Sequence, residues 1–387
     1  MFEKDRAGKY KKNLSGKIAY HSFQPAKLPP SPAIEIDDKL MRLLIEAHKK
    51  LAVLDERATS IPDIDLFISM YVQKEALLSS QIEGTQATLE DLFDPTIDAN
   101  IHSDVNDVVN YTKATKYAIR RLRTLPLCNR LLLETHRELM SGVRGQDKNP
   151  GEFRQSQNWI GGFGSTLKTA RYIPPSEEDM KEALSDLEKY IHKEDGLDVL
   201  IKAALIHYQF ESIHPFLDGN GRIGRLLIIL FLLEQQVIHS PALYISYYLK
   251  LNRTEYYDRM TEVRETGNYE QWIDFFVRAV KVAAESAINT AEELITLKIK
   301  NEQLLEKQGY TKRTLETMQK IFRYLQSYPI IEIPKTAREL ELSYNTVASG
   351  IRRFEDLGIL RKLKEQERNR AYIYDEYLSI LRTGTEI

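Results

Sequence analysis

A stretch near the middle of the chain collects the residue types that phosphate chemistry requires. Within residues 212–225 lie one histidine, one carboxylate, one asparagine, two arginines and three glycines. The apolar run 226–233 follows directly and predicts a buried helix. A glycine-rich turn that leads into a helix N-terminus binds anions, because unpaired backbone N–H groups and the positive end of the helix dipole point at the ligand. The segment therefore predicts a phosphate site formed by Gly219, Asn220, Gly221, Arg222, Gly224 and Arg225.

Each polar group of this stretch suits one task. The glycines let the backbone approach phosphate oxygens, and the two arginines, three residues apart, can clamp further phosphates. His214 precedes Pro215, which disfavours helical backbone angles, so we expect His214 in a loop that faces a cleft. Its ordinary pKa, about 6.5, suits a general base near neutral pH. Asp218 is a hard oxygen ligand for a Mg²⁺ ion carried by a nucleotide, and Phe216 is expected to bury its ring and anchor the loop.

The order His-Pro-Phe-Leu-Asp-Gly-Asn-Gly-Arg-Ile-Gly-Arg, residues 214–225, resembles the signature of the Fic family position for position. The resemblance implies nucleotidyl transfer, most often of AMP from ATP to a protein hydroxyl. It implies that His214 takes the proton of the attacking Ser, Thr or Tyr hydroxyl and that Asp218 holds Mg²⁺ between the α- and β-phosphates. The Asn220 side chain and nearby backbone N–H groups would stabilise the α-phosphate, and the two arginines would neutralise the β- and γ-phosphates.

A second motif ends the helix that periodicity predicts over 64–83. Ser79 and Glu83 are four residues apart and share one face of its last turn, and Gly84 follows where a left-handed C-cap belongs. Because a carboxylate is unfavourable at a helix C-terminus, Glu83 needs a cationic partner. Ser79-x-x-x-Glu83-Gly84 is similar to the inhibitory-helix motif of Fic proteins whose regulatory helix precedes the catalytic domain. The resemblance implies that Glu83 pairs with Arg225 and keeps the γ-phosphate out of a productive pose.

Residues 142–175 are rich in glycine and proline. Two short β-prone pieces flank a glycine-rich turn and predict a hairpin in an otherwise helical protein. A surface loop is one interpretation, and a flap to which a target segment adds as an extra strand is the other. The Fic resemblance extends to this position and implies a flap, residues 159–172, that registers the side chain of the target protein.

Helical periodicity predicts the elements that position these motifs. The predicted helices are 36–51, 64–83, 103–123, 128–140, 176–192, 196–212, the segment after the signature and a linking helix over 281–308. Residues 1–32 are polar and then proline-rich, which predicts an extended arm over the surface. His136 and His207 are expected to be packed or surface residues of helices and not ligands.

The region from about 310 onwards is predicted to be a separate unit. Residues 336–348 have the pattern of helix, short turn and helix, and 360–374 alternates as a two-stranded wing with a turn near 367–369, which together resemble a winged helix. Over 311–387, 14 Lys and Arg against 11 Asp and Glu give a net charge of +3. DNA binding through 310–387 is therefore one hypothesis, although two acidic residues lie on the predicted recognition helix. Protein docking or dimerisation is the other.

Composition limits the class of protein. A length of 387 residues allows two or three domains, and a net charge of −2 gives no overall attraction to nucleic acid or membranes. The single cysteine excludes an internal disulfide framework. The first residues lack the apolar core of a signal peptide, and the longest apolar run is far below the ~20 residues that span a bilayer. These features predict a bacterial, cytoplasmic protein without membrane association.

The predicted fold is mainly α: a Fic-type helical bundle with a β-hairpin flap and a C-terminal winged helix. The predicted domains are 1–104 with the inhibitory helix, 105–300 with the catalytic site, and 301–387. The predicted function is that of a protein adenylyltransferase with ATP as substrate and Mg²⁺ as cofactor, restrained by Glu83 and able to modify itself. A homodimer stays open, as do a nucleotide-sensing transcriptional regulator, transfer of another group such as UMP, and removal of AMP.

Overall fold

The computed structural model of the protein describes residues 5–15, 19–60, 64–95, 102–142, 146–162, 164–363 and 370–386. Its helices are α1 (Asp38–Ser60), α2 (Ile64–Ile82), α3 (Leu89–Phe93), α4 (Ser103–Leu122), α5 (Asn129–Leu139), α6 (Glu177–Ile191), α7 (Val199–Ile213), α8 (Asn220–Glu234), α9 (Ser246–Leu251), α10 (Arg253–Thr266), α11 (Tyr269–Glu306), α12 (Lys312–Ser327), α13 (Ile333–Glu339), α14 (Tyr344–Asp356) and α15 (Asp375–Arg382). The strands are β1 (Gly8–Asn13), β2 (Tyr20–Pro25), β3 (Ile330–Glu332), β4 (Arg361–Lys362) and β5 (Ala371–Ile373). A mainly helical fold is therefore confirmed.

Helices α7 and α8 form the centre of the bundle. Nearly every side chain of both helices is buried, which is expected of helices that are apolar on all faces. Helix α11 packs on α7 and on α1, while α2 and α4 contact α8 from the opposite direction. The loop between α7 and α8 carries the Fic-like signature, so its two ends are fixed by the most buried elements of the protein.

Helix α11 combines the helical pattern that begins near Trp272 with the predicted linking helix. It runs for 38 residues, and the predicted linking helix 281–308 is its second half. The first half buries Trp272 and its aromatic neighbours against α7, and the Trp272 indole N–H donates to the carbonyl of Ala204 at 2.9 Å. The continuous helix leads from the bundle to the C-terminal elements, and residues 307–311 connect it to α12.

The N-terminal arm forms a hairpin that the sequence analysis missed. Strands β1 and β2 are antiparallel, with Gly8 opposite Pro25 and Asn13 opposite Tyr20. Phe23 is fully buried, and its N–H donates to the carbonyl of Ile173 at 2.9 Å. The hairpin could not be recognised because its strands are mostly polar, so apolar alternation is weak. It covers the chain that follows the predicted flap.

The flap itself contains less β-structure than predicted. Ile160 and Tyr172 form a single antiparallel bridge, with N–H to carbonyl distances of 2.8 and 3.1 Å. Between the two bridged residues the chain turns through local hydrogen bonds, such as the one from the Ala170 N–H to the Thr166 carbonyl at 2.8 Å. The glycines between the two pieces supply no side chains for cross-strand pairs, which explains why the hairpin ends after one bridge.

The C-terminal elements follow the order helix, strand, helix, helix, strand, strand, helix. Strand β5 lies between β3 and β4 in an antiparallel sheet, and α13 and α14 correspond to the predicted helix–turn–helix. The wing turn predicted near 367–369 lies outside the described residues. Among the described helices, none combines the length and the apolar character that a bilayer crossing requires.

Candidate active site

The α7–α8 loop, residues 214–219, is held in an unusual backbone conformation. His214 ends α7 with φ 49° and ψ 60°, in the left-handed region that non-glycine residues rarely adopt. Pro215 prevents the helix from continuing, as the sequence predicted. Gly219 begins α8 with φ 78°, a conformation that glycine accepts without strain. A left-handed histidine persists only when its surroundings hold it there, and such positions cluster at functional sites.

The imidazole of His214 differs from the expected general base in its pKa. Burial lowers the pKa of His214 to about 4, although a hydrogen bond with the backbone of Glu211 and the charge of Glu83 act in the opposite direction. The ordinary value of about 6.5 expected from the residue type is therefore wrong for this site. The ring is neutral throughout the physiological pH range, so it can accept a proton without first losing one.

Phe216 and Asn220 stabilise the loop from inside. Phe216 is fully buried, and its ring stacks on His136 with centroids 3.8 Å apart and an angle of 6° between the planes. The Asn220 side chain accepts a hydrogen bond from the Phe216 N–H and donates one to the Phe216 carbonyl, both at 2.8 Å. Its amide therefore supports the loop from inside, while one N–H and one lone pair of the amide are not used in this contact.

The three glycines face different neighbours. A Cβ on Gly221 would collide with the carboxylate of Glu83, so glycine allows that side chain to lie over the first turn of α8. A Cβ on Gly224 would collide with the carboxylate of Glu211 on α7. Gly224 therefore allows close packing of α7 on α8. Gly219 lies against Met140 and Leu139 at the end of α5.

Arg225 joins α8 to the end of α2. Its guanidinium is fully buried and donates to the Ser79 hydroxyl at 2.8 Å, to the Ser79 carbonyl at 2.9 Å and to the Glu83 carboxylate at 2.7 Å. Burial alone would raise the pKa of Glu83, but the adjacent Arg225 outweighs it and holds that pKa below its usual range. Gly84 follows with φ 98°. The structure thus brings together the two motifs that lie about 140 residues apart in the sequence.

Arg222 is buried but only loosely paired. Its guanidinium lies 3.5 Å from the Asp218 carboxylate and 3.9 Å from that of Asp107, both longer than a good charge-assisted hydrogen bond. Within the described part of the chain, its Nε–H has no hydrogen-bond partner. A cavity of about 90 Å³ lies beside it, lined also by Glu83 and Met140. Arg222 therefore presents unused donors to a space next to the loop, as a phosphate-binding arginine must.

Asp218 fits a metal ion that arrives with its own ligands. Its side chain is 47% exposed, and one carboxylate oxygen accepts the Gly219 N–H at 2.5 Å. The described residues contain no group of three or more histidine, cysteine or acidic side chains that could hold a metal ion. Mg²⁺ is commonly bound by one or two carboxylates together with substrate phosphates and water, so a single carboxylate suits a nucleotide-borne ion.

Two residues behind the loop were missed as site residues. Arg154 is fully buried and donates to the carbonyl of His214 at 3.1 Å, and the His136 ring contacts the carbonyl of Asp218 at 3.1 Å. His136 was expected to be packed or exposed, and it is fully buried. A signal for it exists, because it lies among Leu132 and Leu139 on the apolar face of α5, where a polar side chain needs a specific partner.

Comparison with known proteins agrees with this geometry. The Fic/DOC family model matches residues 126–232, and the model for the Fic/DOC family N-terminal region matches residues 41–120. Protein adenylyltransferase fic-1 of Caenorhabditis elegans is 28% identical over 171 residues, 43% of this chain and 32% of the relative. Protein adenylyltransferase Fic of Drosophila mojavensis is 28% identical over 273 residues, 65% of this chain and 50% of the relative. The chain thus spans half or less of the length of these relatives.

The crystal structure of a Fic family protein from Desulfovibrio desulfuricans G20 superposes with a TM-score of 0.55 at 18% identity, covering 88% of this chain and 97% of that one. At this identity the likeness concerns the fold alone. The two family matches cover helix α2 and the α7–α8 loop. The chain therefore contains a Fic/DOC domain over residues 126–232, preceded by the N-terminal region of that family.

Proposed function

We propose that the protein is an adenylyltransferase that transfers AMP from ATP to a Ser, Thr or Tyr hydroxyl of a protein. The observation that carries the proposal is the geometry of the α7–α8 loop: His214 ends α7, Asp218 is 47% exposed, and α8 begins directly after them with Arg222 and Arg225 in its first turns. An N-terminus of this kind suits a triphosphate. The names of the relatives from Caenorhabditis elegans and Drosophila mojavensis support the same chemistry.

The reaction needs positioning and charge stabilisation more than covalent help from the protein. His214 takes the hydroxyl proton while the hydroxyl oxygen forms a bond to the α-phosphorus. The bond from the α-phosphorus to the oxygen that bridges to the β-phosphate breaks, and pyrophosphate leaves with that electron pair. Arg222 and Arg225 offset the charge of the β- and γ-phosphates, and Asp218 would hold a Mg²⁺ ion, which neutralises phosphate charge.

Regulation by Glu83 belongs to the same proposal. A γ-phosphate that reaches Arg225 must replace the Glu83 carboxylate, which now accepts a hydrogen bond from it at 2.7 Å. A charge-assisted hydrogen bond contributes about 1.5–3 kcal/mol, so its loss should raise the transfer rate roughly 10- to 100-fold. The resting protein would therefore be slow, and the same carboxylate could instead assist removal of AMP.

The experiment incubates wild type, Glu83→Gly and Glu83→Gly/His214→Ala with α-labelled ATP and Mg²⁺. We expect strong labelling of protein by Glu83→Gly, weak labelling by wild type and none by the double variant. Equal labelling by wild type and Glu83→Gly would remove the regulatory claim. No label in any lane would reject AMP transfer to the proteins present, and parallel lanes with labelled UTP and with AMP-modified protein would then test the two other reactions.

The target protein is proposed to dock along the flap, residues 159–172. Trp159 and Ile160 are 41% and 39% exposed there, which is high for large apolar side chains beside an active site. The enzyme is always the nearest substrate for itself, so part of the label is expected on its own exposed hydroxyls.

A second candidate function is favoured by contacts between the C-terminal elements and α2. The Gln81 amide, two residues before Glu83, donates to the Thr385 carbonyl at 2.9 Å. The Lys250 ammonium bridges the Gln81 side chain at 2.8 Å and the Gly384 carbonyl at 3.3 Å. Residues 301–387 are thus linked to the helix turn that carries Glu83, as a nucleotide-sensing transcriptional regulator would require.

In this alternative, α14 is the helix that would enter DNA. Asn345 and Arg352 are exposed on it, and β4 adds the exposed Arg361 and Lys362. A gel-shift titration on DNA from upstream of the protein's own gene, with and without ATP, tests the idea. Binding that weakens steeply with salt and changes with ATP supports it, whereas no shift at low salt rejects it.

A further inference from the structure

We propose that Arg154 and His136 are positioning residues that hold the α7–α8 loop in its reactive shape from behind. Neither touches the predicted phosphate site, and both bind backbone groups of the residues that carry the chemistry. The inference deepens the proposed function and rests on it for its kinetic test, and a second measurement below does not depend on activity.

Arg154 donates hydrogen bonds to several backbone carbonyls. Its guanidinium donates to the carbonyls of His214 at 3.1 Å, Ser156 at 3.2 Å and Pro175 at 2.5 Å. Its backbone N–H donates to the carbonyl of Pro215 at 2.9 Å. Over the described ranges, no acidic side chain forms a salt bridge with it. A fully buried guanidinium bound only to carbonyls has a strict geometric demand, because each N–H must find its own oxygen.

The contacts explain the left-handed conformation of His214. Such a backbone costs about 1–3 kcal/mol at a non-glycine residue and must be stabilised by its surroundings. Arg154 binds the carbonyls of two successive residues, 214 and 215. The Asn158 amide adds bonds to the carbonyls of His214 at 3.2 Å and Phe216 at 2.9 Å. Without these donors, His214 is free to return to a common conformation, which swings its ring away from the substrate.

His136 fixes the other end of the loop. The Gly151 N–H donates to its Nδ1 at 3.0 Å, so that atom carries no proton in the neutral ring. The proton of neutral His136 is therefore on Nε2, which donates to the Asp218 carbonyl at 3.1 Å. The stack on Phe216 holds the ring in place between the two contacts. His136 thus orients the backbone of the residue whose carboxylate is proposed to meet Mg²⁺.

A single segment, residues 151–154, connects the two positioning residues. Gly151 contacts His136, and Arg154 contacts the loop three residues later. Gly151 has φ 80°, and a Cβ there would meet the Arg137 side chain and the Leu133 carbonyl, so the segment lies directly on α5. The two ends of the loop are therefore both held in place relative to α5. Arg222 and Arg225 are fixed separately, on α8.

This separation gives the proposal a distinctive prediction. A looser loop misplaces His214 and Asp218 but leaves the arginines of α8 in position. The turnover number of AMP transfer should therefore fall while the KM for ATP changes little. A misplacement of about 1 Å can reduce rate about 100-fold.

The kinetic test uses Glu83→Gly as parent and adds Arg154→Met or Arg154→Lys. Arg6→Met is the control, because Arg6 is also buried and also donates to three carbonyls, those of Pro32, Ala33 and Gly267, but does not contact the loop. Unlike Arg154, Arg6 also forms an ion pair, with Glu270 at 2.9 Å. We expect Arg154→Met to lose about 100-fold in kcat with less than about threefold change in KM for ATP, Arg154→Lys to recover part of it, and Arg6→Met to keep the parental kcat. Equal kcat losses in Arg154→Met and Arg6→Met would overturn the proposal.

His136 is tested by a pair of variants. His136→Phe keeps a ring against Phe216 but removes both hydrogen bonds, whereas His136→Gln can donate to the Asp218 carbonyl and accept from the Gly151 N–H. We expect kcat to fall in His136→Phe and to be partly restored in His136→Gln, with a higher Mg²⁺ requirement in the first. Identical kinetics of the two variants would reject the claim that the hydrogen bond from His136 orients Asp218.

Hydrogen exchange of the loop peptide keeps the proposal testable if no AMP transfer is found. Exchange at residues 216–220 should accelerate in Arg154→Lys and His136→Phe relative to wild type and stay unchanged in Arg6→Met. Faster exchange without any labelling in Glu83→Gly would reject the proposed function but would still support the positioning of the loop by Arg154 and His136. Unchanged exchange in both Arg154→Lys and His136→Phe would reject the positioning role of the two residues, whatever the activity.

Discussion

Two buried arginines near the α7–α8 loop, Arg225 and Arg154, have different kinds of hydrogen-bond partner. Arg225 is bound by the carboxylate of Glu83 and by Ser79, whereas Arg154 is bound by backbone carbonyls alone. Burial opposes the charge of both. Glu83 nevertheless raises the pKa of Arg225, while burial lowers the pKa of Arg154 to about 10. Both guanidiniums stay charged at neutral pH, but only one has a partner that can be exchanged.

The difference separates a replaceable contact from a fixed one. The Arg225 side chain is 1% exposed and that of Glu83 is 38% exposed, so the carboxylate can leave toward solvent while the arginine stays. An incoming phosphate brings the same sign of charge and the same acceptor oxygens, so the exchange is balanced. The carbonyls around Arg154 belong to the backbone and have no such exit. One arginine therefore suits regulation and the other suits support.

The largest expected effect is on folding stability. Arg154→Met leaves buried carbonyls without donors at about 1–3 kcal/mol each, so we expect a loss of roughly 3 kcal/mol or more. Arg225→Met should cost about 2 kcal/mol less, because Glu83 can turn into water once its partner is gone. Urea unfolding followed by circular dichroism measures both. A loss of unfolding free energy in Arg225→Met that equals or exceeds the loss in Arg154→Met would contradict this contrast between the two arginines.

A smaller effect separates charge from hydrogen bonding at the exchangeable contact. Glu83→Gln keeps an acceptor for Arg225 but removes the negative charge, and neutral hydrogen bonds are about half as strong as charge-assisted ones. We expect AMP incorporation about tenfold above wild type and below Glu83→Gly. Initial rates with labelled ATP measure it, with Glu178→Gln on the exposed face of α6 as the control. If Glu83→Gln matched wild type, shape and not charge would restrain the enzyme.

The two arginines also show what the sequence could and could not predict. The Glu83–Arg225 pair was predictable, because both residues lie in short local motifs whose spacing and resemblance are visible in the chain. The role of Arg154 was not, because its partners are backbone carbonyls up to 60 residues away, and a carbonyl has no residue type to recognise. The contact of the Asn220 amide with the backbone of Phe216 was not predictable for the same reason.

Element types followed the same rule. Most long amphipathic or apolar helices were predicted with bounds close to those observed, since periodicity determines them locally. The exception is α1, which continues to Ser60, nine residues past its predicted end. The β1–β2 hairpin was missed and the flap was overestimated, because strand pairing depends on residues distant in sequence or on the chain's own turns. The pKa of His214 belongs in this group too. Its residue type suggested an ordinary value, and only the burial in the folded protein lowers it to about 4.

The smallest expected effect concerns pH and links both sides of the loop, because His214 is held by Arg154 and faces Glu83. A general base must be unprotonated, and a pKa of about 4 leaves the imidazole neutral at every pH from 6 to 8. We expect kcat/KM of Glu83→Gly to be nearly constant over this range, since kcat/KM reports ionisations of the free enzyme. An ordinary histidine would instead lose about fourfold between pH 7.5 and 6.

The negative charge of Glu83 also affects the expected pH profile. The Glu83 carboxylate raises the pKa of His214, so its removal in Glu83→Gly lowers that pKa further and moves the acid limb away from neutral pH. Saturating Mg²⁺ keeps the ATP species constant during the titration. A fourfold fall of kcat/KM toward pH 6 would mean that the ring is more hydrated than its packing indicates. In that case the support by Arg154 would fix the position of His214 without excluding water from it.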